Sequence, residues 1–367
     1  MKKTALAILI ATACVSAIAQ EPFTAAIVIE PTTGQVLYEK NPNQPLPTAS
    51  MIKMMTLLVV MDQIKSGDLA LDAPVTVSAK TSKMGGSQVY LKEGEVFPLT
   101  DLIAATMVHS GNDAAMALAE GVGGSEQAFV TLMQDKAQEL GLKNSEIHSP
   151  HGLPAEGDDH PDRMSPADLA KVGMAVMKEP LLNQLARVQE MPFRGGAFTL
   201  YNPNRLLRLY PDATGIKTGY HDKAGFCVTA AAKRGDMELI AVVMGSLKRE
   251  DAFESAARLF SEAFARYKVI HVVKRGTVMS AQAAVDGGQA PAVRVVAGTD
   301  AKVLVKRGGE KSIQLALNSS GADAPVLKFQ RVGTILVKVG GKTLQQIPAL
   351  ALTEVAKQPW WKRLLPF

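Results

Sequence analysis

Ser50 and Lys53 stand three positions apart in the stretch PLPTASMIKMMTLLVVMDQI, at the head of an apolar helical pattern. In a helix that spacing puts them on one face, roughly 5–6 Å apart, among apolar residues that the same face would bury. A lysine on the buried side of a helix is costly unless something uses it. One use is general-base catalysis, because a serine hydroxyl is a weak nucleophile until a base takes its proton. An amine one turn away can do this if burial and a nearby cation lower its pKa towards neutrality. The N–H groups of the helix N-terminus would face any negative charge that develops. Alone, Ser-x-x-Lys carries little weight: a chain of this length should contain about one by chance, and a capped helix with a snorkelling lysine explains it.

Two further groups add to it. In MVHSGNDAAM a helical region breaks at Ser110-Gly111-Asn112, which places Asn112 to cap the next helix while Ser110 and the Asn112 side chain can face a cleft. In TGIKTGYH, Lys217-Thr218-Gly219 reads as the start of a strand. There glycine permits close backbone approach, and lysine with threonine can hold a carboxylate. Each has a plainer explanation in isolation, a helix–helix turn for the first and an edge-strand lysine for the second. Their occurrence together and in order is what matters.

The elements that must position these residues are legible in outline. Residues 23–40 read as a hairpin turning at Pro31-Thr32-Thr33-Gly34. Helical patterns follow at 50–65, 101–108, 113–120 and 126–140, the last starting behind Ser125 and stopping at Gly141. Another, at 166–178, opens with Ser165 as N-cap, Pro166 in the first turn and Asp168 nearby. The intervening segment 142–164 is a long polar loop. GIKTGYH, GFCVTAAAK and MELIAVVMGS read as strands, the last two joined by a tight turn at Arg234-Gly235-Asp236, and a helix closes the unit near Tyr267. The expected class is α+β, with an antiparallel sheet built from both ends of the segment. From about residue 275 short β-type runs at 293–305, 312–317, 326–339 and 342–347, with turns at Gly308-Gly309 and Gly340-Gly341, read as a small all-β domain without a constellation for chemistry.

The N-terminus has the form of an export signal: Lys2 and Lys3, a short apolar run, and Ala17-Ile18-Ala19 as the cleavage site. That gives expected units of 1–19 (signal peptide), 20–270, 271–350 and an amphipathic tail, 351–367. Cleavage leaves Cys227 as the one remaining cysteine, so no intramolecular disulfide forms, and Cys227 reads as a small buried hydrophobe. The 40 basic and 35 acidic residues are nearly balanced. No Lys/Arg cluster interleaved with aromatics supports nucleic-acid binding, despite a pI near 9.0. In PWWKRLLPF, Trp360, Trp361, Leu364 and Leu365 can share a face, with Lys362 and Arg363 beside them, a combination suited to a membrane surface.

Ser-x-x-Lys, Ser-x-Asn and Lys-Thr-Gly in that order, in an exported chain, form a known signature. With PTASMIKMMT, LTDLIAATMVHSGNDAAMALAE, SPHGLP and YNPNRLL before TGIKTGY, the chain resembles the low-molecular-mass penicillin-binding proteins, specifically the D-alanyl-D-alanine carboxypeptidases, over nearly its whole length. The resemblance implies a penicillin-binding/β-lactamase-like catalytic fold with no cofactor and no metal. It implies a peptidoglycan stem peptide as substrate, β-lactams as inhibitors, and a periplasmic site on the outer face of the inner membrane, held through the tail. It further implies that Ser50 is acylated, Lys53 is the base and Ser110 relays protons to the leaving amine. Asn112 would hold the substrate backbone. Lys217, Thr218 and Gly219 would bind the terminal carboxylate, Lys217 also helping to keep Lys53 neutral. The backbone N–H groups of Ser50 and Tyr220 would form the oxyanion hole. One position departs: many members carry histidine directly after Lys-Thr-Gly, where this chain has Tyr220 followed by His221.

Other readings fit less well. A serine β-lactamase would need a loop glutamate to activate water; Glu156 is available, but the asparagine that typically follows four residues later is absent. A metallopeptidase would have to use His148 and His151 with Asp158, Asp159 or His160, without any His-Glu-x-x-His. His109-Ser110 lacks the Gly-x-Ser-x-Gly elbow of a triad hydrolase. A non-catalytic wall-binding scaffold would not need the intact polar set. A D,D-endopeptidase or transpeptidase is the nearer rival, because the same acyl-enzyme can be intercepted by an amine.

Overall fold

The computed structural model describes residues 21–154 and 160–359. The leader, residues 360–367 of the tail, and Glu156, Asp158 and Asp159 lie outside the described residues.

Strands β1 (Ala25–Glu30) and β2 (Gln35–Lys40) form the expected hairpin. Strands β3 (Ala213–His221), β4 (Gly225–Arg234) and β5 (Met237–Ser246) come from the far end of the same unit, and the sheet order is β3-β4-β5-β1-β2. The N-terminal hairpin therefore completes a sheet whose other half is made some 180 residues later, by pairing β1 antiparallel to β5 from Ala25↔Met244 to Ile29↔Ile240. The sequence AAIVIE is apolar on both faces, and every residue of β1 is buried. One side packs on helix α6 (Arg249–Arg266) through Val28, Val243, Phe253 and Phe260. The other packs on a helical layer through Ile27, Ile29 and Val242, with Leu169 and Val172 among its partners.

That layer contains α1 (Lys53–Lys65), α2 (Leu99–Ala104), α3 (Asn112–Gly123), α4 (Glu126–Glu139) and α5 (Pro166–Lys178). The expected caps hold: Ser125 accepts from the Ala128 N–H and Ser165 from the Asp168 N–H. From Lys53 to Met61 every side chain of α1 is buried, which is the pattern of a helix surrounded on all sides rather than amphipathic. Lys53 therefore has no face through which to snorkel.

The β-domain comprises β6 (Tyr267–Val273), β7 (Val278–Asp286), β8 (Ala292–Ala297), β9 (Ala301–Lys306), β10 (Ile313–Asn318), β11 (Ala322–Asp323), β12 (Arg331–Val339) and β13 (Lys342–Ala351). Six of these form the sheet β10-β12-β13-β8-β7-β11, and β6 pairs with β9. The sequence reading ran 293–305 together as one strand; the chain turns at Gly298, whose N–H donates to the Pro348 carbonyl at 2.8 Å, and makes two. It also passed over β7, whose Ser, Ala and Gln residues carry little strand preference and are held by cross-strand pairing.

Candidate active site

Ser50 sits in a 3₁₀ turn, Ala49–Ile52, that leads into α1. This turn lets Ser50 reach the surface while Lys53, the first residue of the buried α1, stays fully covered. Lys53 Nζ lies 2.7 Å from Ser50 Oγ, 2.6 Å from Asn112 Oδ1 and 2.7 Å from the His151 carbonyl oxygen. The last two oxygens can only accept. A neutral amine would spend both its hydrogens on them and turn its lone pair to the Ser50 hydroxyl, the arrangement a base requires. Burial pushes the Lys53 pKa well below its ordinary value, and the Lys217 charge pushes it further down, against the pull of Asp113 and Asp162.

Asn112 is not the N-cap expected from sequence. Gly111 occupies that position, and the Asn112 side chain is drawn inward to accept from Lys53 and to donate to the Gly85 carbonyl at 2.7 Å. Before it, α2 widens into a π-helical turn at Ala105–His109, and Ser110 ends it in the left-handed region, with φ at 68°. A serine held there, nearly buried, is a strained position of the kind found at functional sites. The neighbouring Asp113 carboxylate accepts from the N–H groups of Val89 and Leu91, which ties the segment beside Ser87 to the same helix start.

Lys-Thr-Gly lies inside β3 rather than at its start, because the strand begins four residues earlier at Ala213. Lys217 is buried, and burial lowers its pKa to about 7. Thr218 and Gly219 open onto the cleft. A Cβ on Gly219 would come within 2.5 Å of the Thr48 carbonyl oxygen and 3.2 Å of the Ala49 Cβ. The strand can therefore lie against the Ser50 turn only as glycine. Gly219→Ala is expected to lower the penicillin acylation rate by about 10²-fold, the usual cost of a small displacement between reacting groups, and to lower the melting temperature as well, because the buried Cβ meets backbone that must shift.

Ser50, Ser110, Asn112, Thr218, Gly219 and Tyr220 line one cleft of about 490 Å³, with Lys53 and Lys217 beneath it. The six are thus brought together from three separate stretches. The half-exposed Tyr220 ring stacks on Phe226, which lines the same cleft, at 4.2 Å, and its hydroxyl donates to Asp222 Oδ1 at 3.0 Å. Cys227 is buried, and burial raises its thiol pKa to about 12, so it is inert as expected.

Sequence reasoning missed how the His151 carbonyl is delivered to Lys53. Asp162 accepts from the N–H groups of His148 and Ser149 and from the Ser149 hydroxyl at 2.6 Å, while Thr56 on α1 donates to the Pro150 carbonyl at 2.7 Å. Gly152, at φ +83°, presses against the Ala49 carbonyl, where a Cβ would lie at 2.2 Å. The signal was SPHGLP, conspicuous as a motif but read as side chains when the working group is a backbone oxygen. The histidine rings serve elsewhere. His151 Nδ1 accepts from the Leu153 N–H, and Nε2 lies 3.6 Å from Glu126, whose carboxyl is held down to about 2 chiefly by that contact.

Comparison with known proteins gives one consistent result. The sequence family described as D-alanyl-D-alanine carboxypeptidase matches residues 15–248, and that described as penicillin-binding protein 5, C-terminal domain, matches 267–357. The D-alanyl-D-alanine carboxypeptidase DacF of Bacillus subtilis is 34% identical over 90% of this chain and 85% of its own length. DacA of Escherichia coli is 32% identical over 93% and 85%. Among solved structures, penicillin binding protein 5 from Haemophilus influenzae superposes with a TM-score of 0.77 at 25% identity, covering 92% of this chain and 98% of that one.

Proposed function

The chain belongs to the D-alanyl-D-alanine carboxypeptidase family of penicillin-binding proteins, and on that premise we propose how its residues divide the work. The enzyme removes the terminal D-alanine from peptidoglycan stem pentapeptides through a serine acyl-enzyme, and β-lactams acylate and inhibit it.

In the proposed sequence Ser50 Oγ attacks the carbonyl of the penultimate D-alanine as Lys53 takes its proton. The carbonyl oxygen becomes an oxyanion facing the N–H groups of Ser50 and Tyr220. Ser110 returns the proton to the departing amine, and free D-alanine leaves. Water, deprotonated by the Lys53 amine, then attacks the acyl carbon, and the proton passes to Ser50 Oγ as the acyl bond breaks, restoring Ser50. Asn112 spans both tasks, steadying Lys53 and offering its amide to the peptide backbone. Lys217 and Thr218 take the terminal carboxylate. The observation that carries this reading is a wholly buried lysine whose amine is held by two acceptor oxygens, Asn112 Oδ1 and the His151 carbonyl, and faces the Ser50 hydroxyl as its third contact.

The carboxylate assignment has a direct test. A pentapeptide and its C-terminal amide differ only in the group given to Lys217 and Thr218. The free acid should be cleaved with at least about 10²-fold higher kcat/KM, since a charge-assisted hydrogen bond left unmade costs several kcal/mol. Equal rates would remove both residues from that role.

An endopeptidase working on cross-linked peptides would use the same nucleophile and base, and no feature of the cleft favours it. No helix among the described residues is long and apolar enough to cross a membrane. The proposed setting is the periplasmic face of the inner membrane, reached by an export signal at residues 1–19 and kept by peripheral attachment through the tail. The aromatic, leucine and basic residues of PWWKRLLPF support it.

A further inference from the structure

The two domains carry opposite charge. Residues 21–266 contain 23 Lys and Arg against 30 Asp and Glu, a net of −7, while residues 267–359 contain 13 against 5, a net of +8. At one end of the basic domain the turn between β11 and β12 exposes Leu327 and Phe329, 64% and 57% accessible, with Lys328 between them. Scattered exposed apolar residues need no explanation, but these two are adjacent on a turn that is firmly built. The Leu327 N–H donates to Gln330 Oε1, and the Gln330 N–H to the Leu327 carbonyl. The Phe329 N–H donates to the Ala351 carbonyl, and the Ala351 N–H to the Gln330 carbonyl. Phe329 adopts φ +64°, unfavourable for an aromatic residue, and in that conformation its ring is left in water. Lys328 Nζ sits 5.1 Å from the ring centre, leaving its charge at the tip.

The position of this turn matters as much as its composition. Val326 and Val355 exchange both backbone hydrogen bonds, so the turn lies beside the final described segment, from which residues 360–367 continue. Glu354 is in that segment too, so the attraction to an anionic surface comes from the domain's net charge rather than from a uniform lysine patch.

We propose that the turn Leu327–Gln330 is a lipid-contacting loop, which seats the β-domain on an anionic bilayer independently of the tail. Leu327 and Phe329 enter the interface, Lys328 meets lipid phosphate, and the opposite charges of the two domains turn the catalytic unit away from the surface. A bilayer satisfies both features of the site, an apolar pair at the tip of a turn and a basic domain behind it. The proposal rests on the reading of this chain as an envelope enzyme held at a membrane.

The test compares Leu327→Ser/Phe329→Ser with wild type, each with and without residues 360–367, on vesicles of phosphatidylglycerol mixed with phosphatidylcholine and on phosphatidylcholine alone. The double variant should bind the anionic vesicles about ten-fold more weakly in both backgrounds, with penicillin acylation unchanged as the check on folding. A polarity-sensitive fluorophore on Lys328→Cys should shift to the blue on anionic vesicles only. Unaltered vesicle binding by the double variant, or a probe that stays in water, overturns the proposal. So does a probe that shifts when the tail is removed in the absence of lipid, because the tail would then be what covers the loop. Loss of binding on tail deletion alone, with the loop variant silent, keeps the tail and sinks the loop; the converse keeps the loop and sinks the tail.

Discussion

Ser50→Ala is expected to abolish covalent labelling by penicillin and to lower the release of D-alanine by on the order of 10⁶, the loss seen when a nucleophile working within a unit is removed. The fold should survive. Ser50 occupies a partly exposed turn, its hydroxyl contact with Lys53 is one of three made by that amine, and the side chain leaves no apolar cavity when truncated. A variant that melts like wild type yet does not label separates chemistry from structure. Labelling that persists in the alanine variant would mean another residue is the nucleophile.

Lys53→Ala should approach the same loss, and Lys53→Arg should rescue little of it. Arginine keeps the charge and the length, but it does not deprotonate in a protein and cannot accept the serine proton. The pH profile separates the base from a structural cation. Lys53 is neutral above its depressed pKa, so kcat/KM should rise with pH through that value in the free enzyme. Lys217 is charged below about 7, so carboxylate binding should fall as pH passes through that region, giving a bell. Lys217→Ala should lose the falling limb. It should also move the rising limb to higher pH, because removing the neighbouring cation relieves part of what holds the Lys53 pKa down. A Lys53→Arg enzyme with substantial turnover would show that the residue acts as a charge, not as a base.

The proposed catalytic side chains stand out in the sequence because chemistry restricts residue type tightly at few positions. Ser50, Ser110, Asn112, Thr218 and Gly219, proposed from motif and order, line one cleft, and the proposed Lys53 and Lys217 lie buried beneath it. What sequence conveyed poorly was the supporting geometry. Asn112 looked like a cap because asparagine after a helix break usually is one, yet the pull of a buried amine outweighs the local capping preference. Lys217 looked like a strand opener because the β-pattern upstream of it is weak; pairing of Ala213 to His221 against β4 supplies the rest. The His151 carbonyl could not be read at all, since a backbone oxygen has no residue type. For the sheet, the sequence conveyed a hairpin at residues 23–40 and a sheet built from both ends of the segment, but not that MELIAVVMGS, some two hundred residues on, would be the late strand paired with AAIVIE, nor that AAIVIE would be buried throughout. The small all-β domain was recognised as such while three of its strands, β6, β7 and β11, went unread: β7 and the two-residue β11 are defined by pairing rather than propensity, whereas the Val- and Ile-rich β6 precedes the boundary drawn near residue 275.

The central claim is that a covalent intermediate forms on Ser50. Brief reaction of the protein with a penicillin, followed by proteolysis and mass spectrometry, tests it most directly. The account predicts a single adduct of the intact antibiotic's mass on the peptide carrying Ser50, removed slowly as the enzyme hydrolyses it. An adduct on the peptide containing Ser110, or rapid turnover of the antibiotic with no adduct anywhere, would contradict it.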